Sequence, residues 1–221
     1  MTPEELKKSI LQLAIQGKLV EQRPEEGTAD EIVQKIKQFN TKVMSVIIKA
    51  NAENVIVLPN NKNIILAAVQ ACEIAQCNAV VLETKSLQQG IAAMMSYSPE
   101  KDIDKNTKAM QKAYGNIKCG SVTYAVKDTQ IDGHDVKAGD FIAISDGHIL
   151  SSVADVNDSV KDMLKLITDD ETEIITLYYG KDVSDDAAAA LAQQLEDIFP
   201  DSDIICTNGG QSVYHYLVSV E

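Results

Sequence analysis

The sequence predicts an α/β protein with a mixed sheet: a parallel βαβ core, a β-hairpin-rich middle block and an N-terminal helical extension. Three observations carry this. Two short apolar runs rich in β-branched residues, Val55-Ile56-Val57-Leu58 and Ala79-Val80-Val81-Leu82, flank a helix-period segment with Ile64, Ala68, Cys72 and Ala75 on one face. That order reads as parallel strands buried on both faces and joined by a right-handed crossover. From Ser121 the apolar period changes to two, and Asp132-Gly133 and Asp146-Gly147 punctuate it as hairpin turns. Residues 2–38, ahead of both, have helical periodicity.

Taken in order, Thr2 with Glu5 forms a capping box, Pro3 sits in the first turn, and Leu6, Ile10 and Leu13 share a face. Gly17 ends that helix. Thr28 with Glu31 opens a second, which continues through Ile32, Val33 and Ile36. Residues 41–53 fit either state; Thr41 as an N-cap and the Asn51-Ala52-Glu53-Asn54 exit favour helix. The βαβ unit follows, then a short helix over Leu87–Met95 and a polar one from Ile103 to Tyr114 with Met110 and Ala113 inward. In the middle block Val122, Tyr124 and Val126 alternate against Thr123, Ala125 and Lys127. Val156, Val160, Met163, Leu164 and Ile167 define a further amphipathic helix. The last stretch returns to α/β: a strand over Ile174–Tyr178 ending at Gly180, a helix capped by Ser184, then Ile204-Ile205-Cys206 and Tyr214–Val220. The organisation expected is a helical extension over residues 1–39 and an α/β domain over 40–221.

Thirty-three acidic residues against twenty basic ones give a formal charge of −13, a field that repels phosphate backbones, so no nucleic-acid partner is expected. Arg23 is the only arginine, which leaves the body without a bidentate clamp for phosphate. No apolar run approaches the roughly 20 residues that cross a bilayer, and Met1 leads into Thr2-Pro3-Glu4-Glu5 rather than a secretory signal. No membrane association and a cytoplasmic location are therefore expected. Cys72, Cys77, Cys119 and Cys206 are scattered, as are His134, His148 and His215, so neither a metal site nor a cofactor is expected.

The two apolar runs end in polar loops, Asn60-Asn61-Lys62-Asn63 and Thr84-Lys85-Ser86, the latter leading to Gln89 and Gly90. Parallel neighbours put such loops on one sheet edge, where α/β proteins gather ligand sites. These residues either present amides, hydroxyls and ammonium groups to a ligand or cap the backbone of the helices they precede. Gly90 is expected to allow close backbone approach. Gly209-Gly210 reads first as a turn and second as a point of ligand approach. Hairpin chemistry accounts for Asp128 and Asp132 without a catalytic role.

From Asn51 onward the words NVIVLPNNKNIILAA, ETKSLQQGIAAM, VTYAVKDTQIDG, GDFIAISDGHI and NGGQSVYHYLVSVE occur in order. They resemble the C-terminal domain of the large component of bacterial fatty acid kinase, a relative of dihydroxyacetone kinases. The family's domain normally opens with a further strand and a glycine-rich loop, so the resemblance implies a domain shortened at its start. It also implies a non-catalytic binding module, the ATP-binding domain being absent. The partner implied is the separate fatty-acid-binding component, a DegV-type protein, in a system that phosphorylates fatty acids. Residual phosphotransfer at the same sheet edge is an alternative. Leu6–Ile32, LKKSILQLAIQGKLVEQRPEEGTADEI, resembles the helical region of type I restriction-modification specificity subunits, which implies a third reading as an interaction fragment. A shortened sheet with an exposed edge strand also makes a homodimer an expectation.

Overall fold

Ala29–Ala50 forms one uninterrupted helix, α1, with Lys49 in its last turn, where a cation complements the helix dipole. The structure, a computed structural model, describes residues 29–221; the expected elements and caps over residues 2–28 lie outside them. The helical option for residues 41–50 is the one realised. Thr41 is not an N-cap, because the helix passes straight through it and its hydroxyl donates to the Lys37 carbonyl at 3.0 Å. The helix also crosses residues 39–40 without a break. It stops at Asn51, whose φ of 46° is left-handed, with the Asn51 N–H returning to the Ile48 carbonyl at 3.2 Å.

The chain divides into two compact units, one ending at Lys85 and including Lys101–Thr107, the other of Ser86–Glu100 with Lys108–Glu221. In the first, β1 (Asn54–Val57) and β2 (Asn78–Val81) pair in parallel, with Asn54 opposite Asn78 and Val57 opposite Val81. Helix α2 (Ile65–Glu73) connects them. The expected βαβ unit is present, with two differences. Its strands form a separate two-stranded sheet and are half-buried rather than covered on both faces. The helix buries Ala67, Ala68 and Ala71, while Ile64, Cys72 and Ala75 stay half-buried. The smallest side chains take the tightest positions, which rotates the inward stripe toward the alanines.

The second unit holds a six-stranded mixed sheet. Its strands are β3 (Lys118–Tyr124), β6 (Phe141–Ser145), β7 (His148–Val153), β8 (Ile174–Tyr179), β9 (Asp203–Asn208) and β10 (Tyr216–Val220), in the order β7-β6-β3-β10-β8-β9. The β8–β9 pair is parallel and the other neighbours are antiparallel. Helix α3 (Leu87–Met95) and helix α4 (Ile103–Gly115) precede the sheet in sequence. Helix α5 (Val156–Ile167) packs on β3, β6 and β7, and α6 (Asp185–Ile198) packs on β9. Val160, Met163, Leu164, Leu191 and Leu195 from the helices meet Val122, Ile175, Leu177 and Val218 from the sheet in one buried cluster.

Local chemistry explains the turns. A small hairpin, β4 (Thr129–Ile131) and β5 (His134–Val136), reverses through Asp132 and Gly133, both left-handed at φ 52° and 81°. Asp146 and Gly147 repeat that pair, at 51° and 87°, between β6 and β7. The Asp132 carboxylate accepts the Ile149 N–H at 2.8 Å; that bond, aided by His148, holds its pKa below the usual carboxylate range. Asp128 accepts the Ala138 N–H at 2.8 Å, so both aspartates serve hairpin geometry. The alternation expected from Ser121 breaks after Val122: the strand ends at Tyr124, Ala125 is buried and Val126 is exposed. Ser184 caps α6 by accepting the Ala187 N–H at 3.2 Å, as expected. The last strand begins at Tyr216 rather than Tyr214, so Tyr214 and His215 belong to the approach.

Candidate functional site

In the first unit, the loop after β1 and the loop after β2 are joined by one pair of side chains. Thr84 is fully buried; its hydroxyl donates to the Asn60 side-chain carbonyl at 2.7 Å and accepts the Asn60 backbone N–H at 3.1 Å. Asn60 holds a left-handed φ of 54°, a conformation its short amide side chain tolerates. Next to it the Asn61 side chain accepts the Asn63 N–H at 2.9 Å, and the Asn61 carbonyl accepts the Ile64 N–H at 3.0 Å. These bonds carry the chain into α2 and leave the side chains of Asn61, Lys62 and Asn63 exposed, together with that of Lys85. Replacing Thr84 by Val keeps the shape but strips both bonds from Asn60. A loss of about 1–3 kcal/mol is expected, read as a lower urea midpoint with faster hydrogen exchange at the Asn60 amide.

Ser86, Gln89 and Gly90 belong to the second unit and serve the start of α3. Ser86 is its N-cap, accepting the Gln89 N–H at 3.2 Å, and the Gly90 N–H returns to the Ser86 carbonyl. The Ser86 hydroxyl also donates to the Cys119 sulfur at 3.3 Å, and burial pushes the Cys119 thiol pKa up. Gly90 is buried inside the helix. Gln88, absent from the expected set, is the residue that fastens α3. Its buried amide donates to the carbonyls of Gly120 at 2.8 Å and Val218 at 3.2 Å. Gln88 stands four residues before the buried Ala92, on the same helix face, an alignment that shows only once the helix is in place.

Gly209 and Gly210 form the turn after β9, with both N–H groups donating to the Tyr179 carbonyl at 2.9 and 3.3 Å. A Cβ on Gly209 would meet the Gln211 side chain and Tyr178. His215 lies edge-on to Phe141, ring centroids 5.0 Å apart, and to Tyr124 at 6.0 Å. Next to it, burial pushes the Tyr216 hydroxyl pKa up to about 12. Among the described residues no group of three or more histidine, cysteine, aspartate or glutamate side chains is set to hold a metal ion. No described helix is long and apolar enough to cross a membrane.

Comparison with known families assigns residues 10–221 to the FakA-like C-terminal family, the C-terminal domain of the A component of fatty acid kinase and its relatives. The chain belongs to this family. The match takes in most of Leu6–Ile32, the segment that resembles restriction specificity subunits; a relation to those subunits does not emerge. Among curated relatives, an uncharacterised protein of Staphylococcus haemolyticus is 38% identical over 179 residues, 81% of this chain and 32% of that protein. One from Staphylococcus aureus strain MRSA252 is 36% identical over the same length, 33% of its own. The chain thus spans about a third of these relatives.

Solved structures with a similar fold include DegV family proteins. A fatty-acid-binding DegV family protein from Thermus thermophilus superposes with a TM-score of 0.57 at 12% identity, covering 87% of this chain and 84% of that one. The Streptococcus pneumoniae fatty acid kinase B3 protein loaded with linoleic acid gives 0.56 at 10% identity, covering 82% and 75%. At such identities the likeness is one of fold. This FakA-like C-terminal domain is therefore a kinase-related module built on a DegV-like α/β fold.

Proposed function

We propose that this domain is a non-catalytic binding module that engages a DegV-type fatty-acid-binding protein through the exposed side chains of Asn61, Lys62, Asn63 and Lys85. One observation carries the reading: the doubly hydrogen-bonded Asn60–Thr84 pair holds two neighbouring loops together beneath those side chains. A contact surface whose backbone is already fixed loses less conformational freedom on docking than a free loop would. Membership of the FakA-like family supports a role in fatty acid phosphorylation. In this role the module presents the acid-carrying protein to chemistry performed elsewhere. A second use of the same unit is favoured by the β1–β2 pair, which among the described residues hydrogen-bonds to no further strand. Its outer edges suit pairing with another copy.

One sedimentation experiment tests both uses. Mixed with a DegV-type protein carrying a long-chain fatty acid, the chain is expected to form a complex with a Kd in the micromolar range, about −8 kcal/mol. Lys62→Ala with Lys85→Ala should weaken it about tenfold. Absence of a complex at ~100 µM of each protein, a Kd weaker than about −5.5 kcal/mol, removes the docking reading. A chain that sediments alone as a monomer over that range removes the paired-copy reading.

A further inference from the structure

We propose that the free edge of β1, in a groove between that strand and α1, receives a short extended segment of another protein as an added strand. The groove encloses about 370 Å³ within the first unit and does not depend on the Asn61–Lys85 surface. The unbroken run of residues 55–59 forms one side. Side chains alternate along a strand, so a groove over one face would be lined by every second residue; a continuous run lies along the edge. The described lining residues include none from β2. On the other side stand Val43, Val46, Ile47 and Ala50, an apolar stripe of α1 at helical spacing.

The main chain says what fills the groove. The Asn78 N–H donates to the Glu53 carbonyl at 2.9 Å, and the Leu82 N–H to the Val57 carbonyl at 3.0 Å. Main-chain groups alternate in direction along a strand, so Glu53, Val55 and Val57 turn theirs to β2 while Asn54 and Ile56 turn theirs away from it, toward the groove. Among the described residues nothing bonds the Ile56 N–H or carbonyl. A main-chain donor and acceptor facing an apolar slot cost free energy until an incoming group bonds them. An aliphatic chain or the apolar face of a helix offers such groups nothing, whereas a second extended main chain bonds both.

Length and charge narrow the occupant further. Helix α1 ends at Ala50 and β1 begins at Asn54, so Ala50 lies beside the start of the strand and Lys42 beside its exit. From Lys42 to Ala50 the helix rises roughly 12 Å, and a strand of the length of β1 spans about 13 Å. The slot therefore takes about four residues of added strand, apolar at the alternate positions that face α1. Lys42 is the one charged side chain in the described lining and joins no ion pair among the described residues. A segment without lysine or arginine, carrying an aspartate or glutamate at the Pro59 end, complements it.

The test uses the whole chain and a fluorescein-labelled peptide of about seven residues, valine alternating with threonine and one glutamate near an end. Fluorescence anisotropy should show saturable binding, and the bound peptide should slow hydrogen exchange at the Ile56 amide. Only every second N–H of an added strand faces its neighbour. Of two versions N-methylated at alternate backbone amides, one should therefore bind about tenfold more weakly or worse and the other nearly as well as the parent. Lys42→Glu should weaken binding about fivefold, and a lysine in place of the peptide's glutamate should restore it. Lys37→Glu, on the same helix outside the groove, should leave binding unaltered. The proposal is overturned if the two methylated versions bind alike, if Lys37→Glu weakens binding as much as Lys42→Glu, or if exchange at Ile56 does not change. It is also overturned if no binding appears at about 1 mM peptide, or if Ile56 becomes protected in the chain alone as its concentration rises, which would assign the edge to a second copy.

Discussion

Gly180→Ala is expected to lower the stability of the second unit by about 3 kcal/mol, the upper end of the usual range for overpacking. The glycine follows β8, and its N–H donates to the His215 carbonyl at 2.8 Å while the Lys181 N–H donates to the Gln211 carbonyl at 3.0 Å. These bonds draw the 211–215 segment across the strand end. A Cβ at Gly180 would lie 2.7 Å from the Gln211 carbonyl oxygen and closer still to that of Tyr214. Both obstacles are backbone atoms, so no rotamer change relieves the clash. The backbone there is not left-handed; the requirement for glycine is one of space. Urea unfolding followed by far-UV circular dichroism measures the change. Gly115→Ala is the control, since a Cβ there meets nothing within 4 Å. Equal midpoints for the two variants would show that the segment moves aside freely.

Leu164→Ala should cost a similar amount, about 3 kcal/mol within the 2–5 range for emptying a core leucine site. Leu164 is fully buried in α5 against the sheet. The surrounding Val160, Met163 and Ile167 are fixed by the same helix, so the space left behind closes only in part. Two residues on, Leu166 is 63% exposed, and Leu166→Ala should stay within about 0.5 kcal/mol of the parent. The pair separates burial from helix propensity, because both changes replace leucine by alanine in the same helix. Matching losses at the two sites would place the stabilisation in the helix itself rather than in its contact with the sheet.

The elements legible in the sequence are those whose signal is local. Asp132-Gly133 and Asp146-Gly147 each supply two left-handed residues in a row, and Ser184 supplies a hydroxyl just where α6 begins. Val160, Met163, Leu164 and Ile167 repeat at helical spacing and are among the residues α5 buries. The burial of the first βαβ pair differs from expectation for a non-local reason. A run such as Val55–Leu58 states that a strand is apolar, not how many neighbours will cover it. Thr41 does not cap because a hydroxyl within a long helix can bond back to the carbonyl four residues earlier.

The candidate site is legible to the same degree. Asn60 and Thr84 stand 24 residues apart, yet the parallel pairing of the strands before them brings their loops together. That Thr84 is fully buried, and Asn61, Lys62 and Asn63 left outside, depends on side-chain geometry absent from any periodicity. Ser86 and Gln89 take the capping option that their position before a helix allows. Gln88 escapes notice because a glutamine early in a helix ordinarily points to water; here two strand carbonyls replace that water.

β10 is the last strand in the chain and lies in the middle of the sheet, between β3 and β8, with every residue buried. Without β10, the β3–β6–β7 block and the β8–β9 pair would be two half-sheets with facing open edges. Only Tyr216–Val220 can bridge them, and the bridge joins residues far apart in the chain, such as Val122 with Tyr216. Closure is a long-range event, a feature of slow-folding topologies, and an edge left without β10 is one open to pairing with the wrong strand.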